Sequence, residues 1–497
     1  MNLNKKYILA IDLGTTGNRA IIFDKEQKII SKSYKEFRQY FPKEGWVEHD
    51  PMEILQSTIS VIKDALKKGK IKVDDIAAAG ITNQRETTVI WDKKTGKPIY
   101  NAIVWQCKRT SGYCEELKKK GKEAFIRNKT GLLVDPYFSA TKIRWILENV
   151  AGARKKADDG ELCFGTIDTW ILWNLTKGIH ATDYSNASRT LIFNIHTLKW
   201  DEELLKLFDI PKKLLPEVKS SSGEFGKIHS SILPGNIPIT GIIGDQQSAM
   251  FAQGCYAQGI VKNTYGTGCF AMMNTGTKAI ASKNKLLTTI AWNMQNKTEY
   301  ALEGSVFMGG ASVQWLRDGL KIIENASDTE KLADEVDDNG GVYFVPALVG
   351  LGAPYWDMQA RGMIIGITRG TTKNHIVRAT LEAIAFQSYD LIIAMENDAK
   401  IKIKMIKVDG GAAANRLLMQ FQSDLLKLQV VKPKIIETTA LGAAGMAGLA
   451  VKFWKSREDF QNRQKIDCIF KPSMDGKKRK MLLQRWKKAV SRARDWI

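Results

Sequence analysis

The chain has 497 residues, 44% of them hydrophobic and 26% charged, with 74 Lys+Arg against 53 Asp+Glu and a net charge of +21. That length is too great for one ordinary core and points to two domains of a globular protein, and no run approaches the ~18 apolar residues of a membrane span. The lysines are spread along the chain; only the last segment, "GKKRKMLLQRWKKAVSRARDWI", is densely basic, and no nucleic-acid-binding pattern accompanies it, so a solvated surface and no nucleic-acid partner are expected.

In chain order, "YILAIDLG", "NRAIIFD" and "KIISKSYKEF" predict strands joined by tight turns. The apolar start stops at Asp12, too early for a secretory signal. "DPMEILQSTISVIKDALKKG" predicts a helix, with Asp50 as N-cap, Pro51 at the first helical position and Glu53 completing a capping box. "DDIAAAGITNQ" and "TTVIWD" predict two more strands, and "IPITGIIG" another, followed by the helix "DQQSAMFAQG". "GIVKNTYGTGCFAMMNT" is again strand, turn, strand, and Gly14-Thr15 falls on Gly266-Thr267. Two such units about 250 residues apart predict a duplicated α/β domain, divided into residues 1–254 and 255–497. Last, "KVDGGAAANRLLMQFQSDLL" is a strand, a Gly-Gly turn and a helix. The six cysteines never form C-x-x-C, which favours a reducing compartment over a zinc site or disulfides, and a cytoplasmic location.

The opening turn has glycines but no Walker lysine, and the chain leaves it as a strand rather than a helix. Its backbone N–H groups can form an anion nest, with the Thr15 and Thr16 hydroxyls as further donors. Asp12 cannot face phosphate directly; it makes sense there only across Mg²⁺. Taken alone, the stretch is equally a plain hairpin. A second polar run, Asn83-Gln84-Arg85-Glu86, follows a buried strand and is costly unless it has partners; an exposed loop is the simple alternative. Trp105 and Tyr137 could supply aromatic faces for a polyol beside those charges. None of the five histidines lies in a glycine-rich or strand-end motif. The candidate base is Asp245, at the start of a helix, where a plain N-cap is the alternative.

These pieces resemble the actin, hexokinase and heat-shock chaperone ATPase superfamily. Within it the chain is similar to the FGGY carbohydrate kinases, through "YFSATKIRWILEN" and "GMIIGITRGTTKNHIVRATLE". The similarity extends through "NQRETT", "NAIVWQC", "GTIDTWILW", "IIGDQQSAMF" and "GLGAPYWDMQARG", nearly end to end. It implies two duplicated ribonuclease H-like domains with a cleft between them, and ATP-dependent phosphorylation of glycerol, or else of another sugar or polyol. It implies that Thr15, Thr16, Gly17 and Arg19 hold the nucleotide phosphates, and Thr267, Gly310, Gln314, Gly411 and Asn415 the rest of the nucleotide. It implies that Arg85, Glu86, Tyr137, Asp245 and Gln246 hold glycerol, with Trp105 and Phe270 against its carbons. Asp245 would be the general base and Asp12 would organise Mg²⁺. A homodimer or homotetramer is expected by the same resemblance.

Overall fold

In the computed structural model, which describes residues 5–497, the opening stretch is a hairpin. Strand β1 (Tyr7–Leu13) pairs antiparallel with β2 (Gly17–Asp24), and β2 with β3 (Ile29–Glu36). Residues 8–13 of β1 are all buried because both faces are covered: Leu9, Ile11 and Leu13 on one side, Ile8 and Ala10 on the other. A strand covered on both faces reads as a continuous apolar run rather than an alternating one.

Helix α1 (Pro51–Gly69) packs on the first of those faces through Ile54, Thr58, Val61, Ile62 and Ala65, spaced as one side of a helix. Asp50 caps it, accepting from the Met52 N–H at 2.7 Å. Glu53 does not complete a capping box. Its carboxylate instead accepts the Arg38 N–H at 3.1 Å and the Tyr40 hydroxyl at 2.7 Å. A tertiary contact has taken the local partner's place.

Strand β4 (Ile76–Asn83) lies parallel to β1, and β5 (Ile239–Gly244) parallel to β4, giving the order β5-β4-β1-β2-β3. Between β4 and β5 the chain builds a helical lobe with its own core, including the helix Ser139–Asn149, while the helix Ile167–Thr176 packs into the core of the first sheet. Helix α2 (Asp245–Ala252) follows β5 directly.

The second sheet repeats this pattern. Strand β6 (Ile260–Tyr265) pairs antiparallel with β7 (Cys269–Gly276). Strands β8 (Leu287–Met294) and β9 (Lys297–Val306) form a hairpin, and β7 pairs antiparallel with β9. Helices α3 (Gly310–Asp318) and α4 (Lys373–Ala399) lead to β10 (Met405–Asp409), parallel to β6. Then come α5 (Arg416–Leu426), β11 (Gln429–Pro433) parallel to β10, α6 (Thr438–Ala450), β12 (Ile466–Phe470) and α7 (Gly476–Ala493). The order is β8-β9-β7-β6-β10-β11-β12. Its stretch β11-β10-β6-β7-β9 matches β5-β4-β1-β2-β3 in order and in every strand direction. The two Gly-Thr turns, 14–16 and 266–268, occupy the same place in each. The duplication expected from the hairpins is therefore a duplication of whole sheets.

The two sheets are locked by their equivalent last helices. Helix α6 crosses onto the first sheet and against α2, so closely that only glycine fits. A Cβ on Gly80 would lie 2.1 Å from the Ala443 carbonyl oxygen, and one on Gly442 2.0 Å from that of Ser248. Residues of α2, α6, β1, β7, β8 and β9 share one apolar core. The basic α7 is exposed on one side only. Leu482, Trp486, Ala489, Val490 and Ala493 form its buried stripe, with Trp486 stacked on Phe386 at 5.0 Å. No helix among the described residues is long and apolar enough to cross a membrane.

Candidate active site

Asn83-Gln84-Arg85-Glu86 leaves the end of β4 and is buried, not an exposed loop. Most of its polar groups have partners, as burial requires, Asn83 Oδ1 being an exception. The Asn83 amide donates to Asn186 Oδ1 at 3.0 Å and to the Gln84 carbonyl at 2.9 Å. Gln84 turns back to the first hairpin, donating to the Gly14 carbonyl at 2.9 Å. Glu86 holds φ at 62°, a left-handed conformation unfavourable for a residue with a Cβ. Its carboxylate accepts Arg189 Nε at 2.6 Å.

Arg85 is the hub. Its two terminal nitrogens donate to Glu303 Oε2 and Oε1, both at 2.7 Å, and one also to Gln247 Oε1 at 3.1 Å. Its Nε lies 3.2 Å from Asp245 Oδ1. Such a fork-to-fork pair is strong and sets the plane of the guanidinium. Asp245 is the first residue of α2, with Gly244 rather than Asp245 as the cap residue, and its side chain is 31% exposed. A Cβ on Gly244 would lie 2.8 Å from Arg85 Cδ, so glycine lets the helix start beside the arginine. The Gln246 side chain accepts from Lys262 Nζ at 2.6 Å.

Tyr137 is placed by Lys142 in the signature helix. Its ammonium donates to the carbonyls of Pro136, Tyr137 and Phe138 at 2.7, 2.6 and 3.1 Å. Burial pulls that amine down to about 8. Tyr137 meets Trp105 edge-on at 5.4 Å, and the Trp105 indole N–H reaches Thr15 Oγ1 at 3.1 Å. The aromatic corner thus touches the first turn. Phe270, half-buried on β7, stands opposite Thr264 and Ser305.

Around the residues expected to hold the nucleotide, the Gly14 N–H is taken by the Gly17 carbonyl at 3.1 Å, closing the first turn. Thr16 is exposed and Thr15 half-buried. In the second turn Thr267 is exposed, and the Gly310 N–H at the start of α3 meets the Gly266 carbonyl at 2.8 Å. Gln314 lies one turn further along α3, exposed. Gly410 takes φ of 89° and passes Tyr265, where a Cβ would be 2.5 Å from a carbonyl oxygen. Next to it, a Cβ on Gly411 would meet nothing within 4 Å. Asn415 caps α5, accepting the Leu418 N–H at 2.9 Å, while its amide nitrogen is 3.3 Å from Thr329 Oγ1. Both ends of its half-buried side chain thus have partners within the protein. A cavity of about 720 Å³ lies beyond it, lined by Glu330, Arg416, Lys478 and Arg485 among others, and contains none of the predicted site residues.

Asp12 is buried at the end of β1. Burial pushes its carboxyl up to about 7, the Arg19 charge opposes that, and the Asp245 and Glu437 carboxylates add to it. Arg19 is a distant partner at 3.5 Å and is shared with Glu437 at 3.2 Å, across from the second half of the chain. No cluster of three or more His, Cys, Asp or Glu side chains that could hold a metal exists among the described residues. Mg²⁺ commonly uses one or two carboxylates and completes its shell with phosphates and water, and a poorly compensated carboxylate fits that role.

Four residues of this site were absent from the sequence reading: Glu303, Arg189, Lys262 and Gln247. For Glu303 and Lys262 the signal available was a lone charge inside a strand-like stretch, as in "YALEGSV" and "IVKNTYG"; Arg189 and Gln247 carried none.

Family models match both halves: the N-terminal domain of the FGGY family of carbohydrate kinases over residues 7–252, and its C-terminal domain over 261–451. The chain belongs to the FGGY family of carbohydrate kinases. This carbohydrate kinase is 60% identical over 492 residues to glycerol kinase 2 of Thermotoga maritima and 61% identical over 492 residues to the glycerol kinase of Caldanaerobacter subterraneus, covering 99% of each chain in both cases. Among solved structures, it is similar to Plasmodium falciparum glycerol kinase with ADP, at 42% identity and a TM-score of 0.94 over 98% of each chain. A gluconate kinase from Lactobacillus acidophilus shares the fold, with a TM-score of 0.89 at 23% identity.

Proposed function

We propose that this kinase transfers the γ-phosphoryl group of ATP to a terminal hydroxyl of glycerol, giving glycerol 3-phosphate and ADP. The observation that carries this is identity of about 60% along the whole chain to proteins that bear the name glycerol kinase. The site supports it. Arg85 lies 3.2 Å from Asp245 and 3.8 Å from Glu86, Gln246 follows Asp245 on α2, and Tyr137 packs against Trp105; in this reading these residues hold glycerol, with Trp105 and Phe270 as its apolar walls. Charged groups suit the hydroxyls of a polyol and aromatic faces suit its carbons.

In this reading the half-exposed Asp245 carboxylate takes the proton as the hydroxyl oxygen attacks phosphorus in line. General-base help is typically worth ~10²- to 10⁴-fold. Most of the remaining acceleration is positioning and charge neutralisation. Thr15, Thr16, Gly17 and Arg19 hold the phosphates from one turn and Thr267 from the other; Gly310, Gln314, Gly411 and Asn415 border the nucleoside. Asp12 would hold Mg²⁺, which supplies positive charge against the phosphates. Residues 253–259, between α2 and β6, serve as the hinge between the halves. All six cysteines are free thiols, which suits the cytoplasm. The homodimer or homotetramer of the family resemblance belongs to the same reading.

ADP release measured with glycerol, xylulose, ribulose and gluconate, on wild type and Asp245→Asn, tests it. Glycerol is expected to be the best acceptor, and Asp245→Asn to lose transfer while still binding nucleotide. A better acceptor among the others overturns the substrate; turnover above about a tenth of wild type in the variant overturns the base, given the ~10²-fold minimum for such help.

A further inference from the structure

The second sheet reaches into the glycerol pocket with two buried charges. The register of β6, β7 and β9 puts Lys262, Met272 and Glu303 in one row across the sheet. Residues in such a row share a face, and Phe270, two positions from Met272, shares it too. Lys262 is 0% exposed and Glu303 3% exposed. Both end on residues from the first half. Lys262 donates to Gln246 Oε1 at 2.6 Å, and Glu303 takes both terminal nitrogens of Arg85 at 2.7 Å. Glu303 also accepts Arg189 at 3.2 Å, and Arg189 in turn holds Glu86 at 2.6 Å.

We propose that Glu303 and Lys262 are positioning residues for the phosphate acceptor, through which the second half orients the Arg85, Glu86 and Gln246 side chains of the first. The chemistry of each contact is directional. An ammonium only donates, so the Gln246 amide must face Lys262 with its oxygen, which presents its NH₂ on the other side to an acceptor oxygen. A carboxylate meeting a guanidinium fork fixes its plane, so Arg85 can turn its remaining N–H in one direction only. Arg189 carries the same constraint to Glu86, whose left-handed backbone already limits where its carboxylate can go. The charges balance: buried Lys262, Arg85 and Arg189 against buried Glu303 and Glu86 and the half-exposed Asp245. Removing one leaves an uncompensated charge beside the substrate. The pocket is therefore complete only while the two sheets face each other as seen here, which ties acceptor binding to the arrangement of the halves.

The inference rests on glycerol being the acceptor, and the variants separate the two claims. Glu303→Gln keeps the shape of the side chain and removes its charge; Lys262→Met keeps the stem and removes the donor. A lost charge-assisted hydrogen bond corresponds to a loss of roughly 10- to 100-fold. The KM for glycerol, and its binding constant by calorimetry without nucleotide, should rise by that factor in each variant, with the KM for ATP within about 3-fold of wild type. Glu303→Asp should recover part of the loss. A purely structural ion network would lower the unfolding temperature and leave the ratio of the two KM values unchanged; that result in both folded variants overturns the proposal. Should Glu303→Gln fail to fold, Lys262→Met decides alone, because it breaks one contact and leaves the arginine pairs intact. Wild type preferring another polyol would overturn the substrate instead, and the same split on that polyol would then decide the positioning roles.

Discussion

Asp12 shows how a single carboxylate can work against the fold while suiting the Mg²⁺ role proposed for it. Its ordinary value of 3.8 rises to about 7, chiefly by burial. The native state thus holds the proton more tightly than the unfolded chain does. Stability falls as pH rises from about 4 to about 7, and the full cost persists above that. At 1.36 kcal/mol per pKa unit it is on the order of 4 kcal/mol. Asp12→Asn removes the buried charge, so its unfolding temperature should exceed that of wild type at pH 8 and match it near pH 4, while phosphoryl transfer is lost. Equal gains at both pH values in a thermal scan would refute burial as the cause. Asp12 was singled out in the sequence as a candidate Mg²⁺ ligand because a charge at the end of an apolar strand has few roles beside a glycine turn. Glu303 and Arg189 were not, since their meaning lies in contacts with residues 218 and 103 positions away. Glu53 went astray for a related reason: it had a plausible local role, and the fold gave it different partners.

At the scale of elements, the glycine turns and the strands around them could be read from hydrophobic pattern alone, and the two hairpins announced the repeated sheets. The path of α6 could not. "TTALGAAGMAGLA" reads as a buried helix rich in small residues, but small residues do not say which sheet comes close. Gly442 makes that contact testable. A methyl placed 2.0 Å from the Ser248 carbonyl oxygen cannot be accommodated without backbone movement, and overpacking of this kind costs about 1–3 kcal/mol or more. The displaced helix is α2, which starts at Asp245. Gly442→Ala should therefore lower both the unfolding temperature and kcat. Gly411→Ala is the contrasting case, because its Cβ would enter open space. It should leave the unfolding temperature unchanged and raise the KM for ATP. If Gly442→Ala matched wild type in both measurements, the close packing of α2 and α6 would not be what holds Asp245 in place.

Across the whole molecule, the two halves meet in two unlike ways. At the base, α2, α6 and strands of both sheets share one apolar core, which a large separation would expose to water. Nearer the proposed ligand site the contacts are polar: the ion pairs of Arg85 with Glu303 and of Arg19 with Glu437, and the hydrogen bond from Lys262 to Gln246. Apolar cores are costly to open in proportion to their area, whereas polar contacts can exchange partners with water or ligand. Any motion should accordingly be a rotation about the core that opens and closes the polar rim, with the turn absorbed near Gly254 and Gly259, both at positive φ. Closure matters because water can attack the same phosphorus as glycerol. Glycerol with a non-hydrolysable ATP analogue should reduce the radius of gyration in X-ray scattering and slow amide exchange in residues 84–86 and 245–246. ATP turnover without glycerol should run at least ~10²-fold slower than with it, since water lacks the positioning that the pocket gives a polyol. Scattering and exchange that stay unchanged at saturating ligand would mean that the rim is already closed, and that water is excluded by the preformed pocket alone.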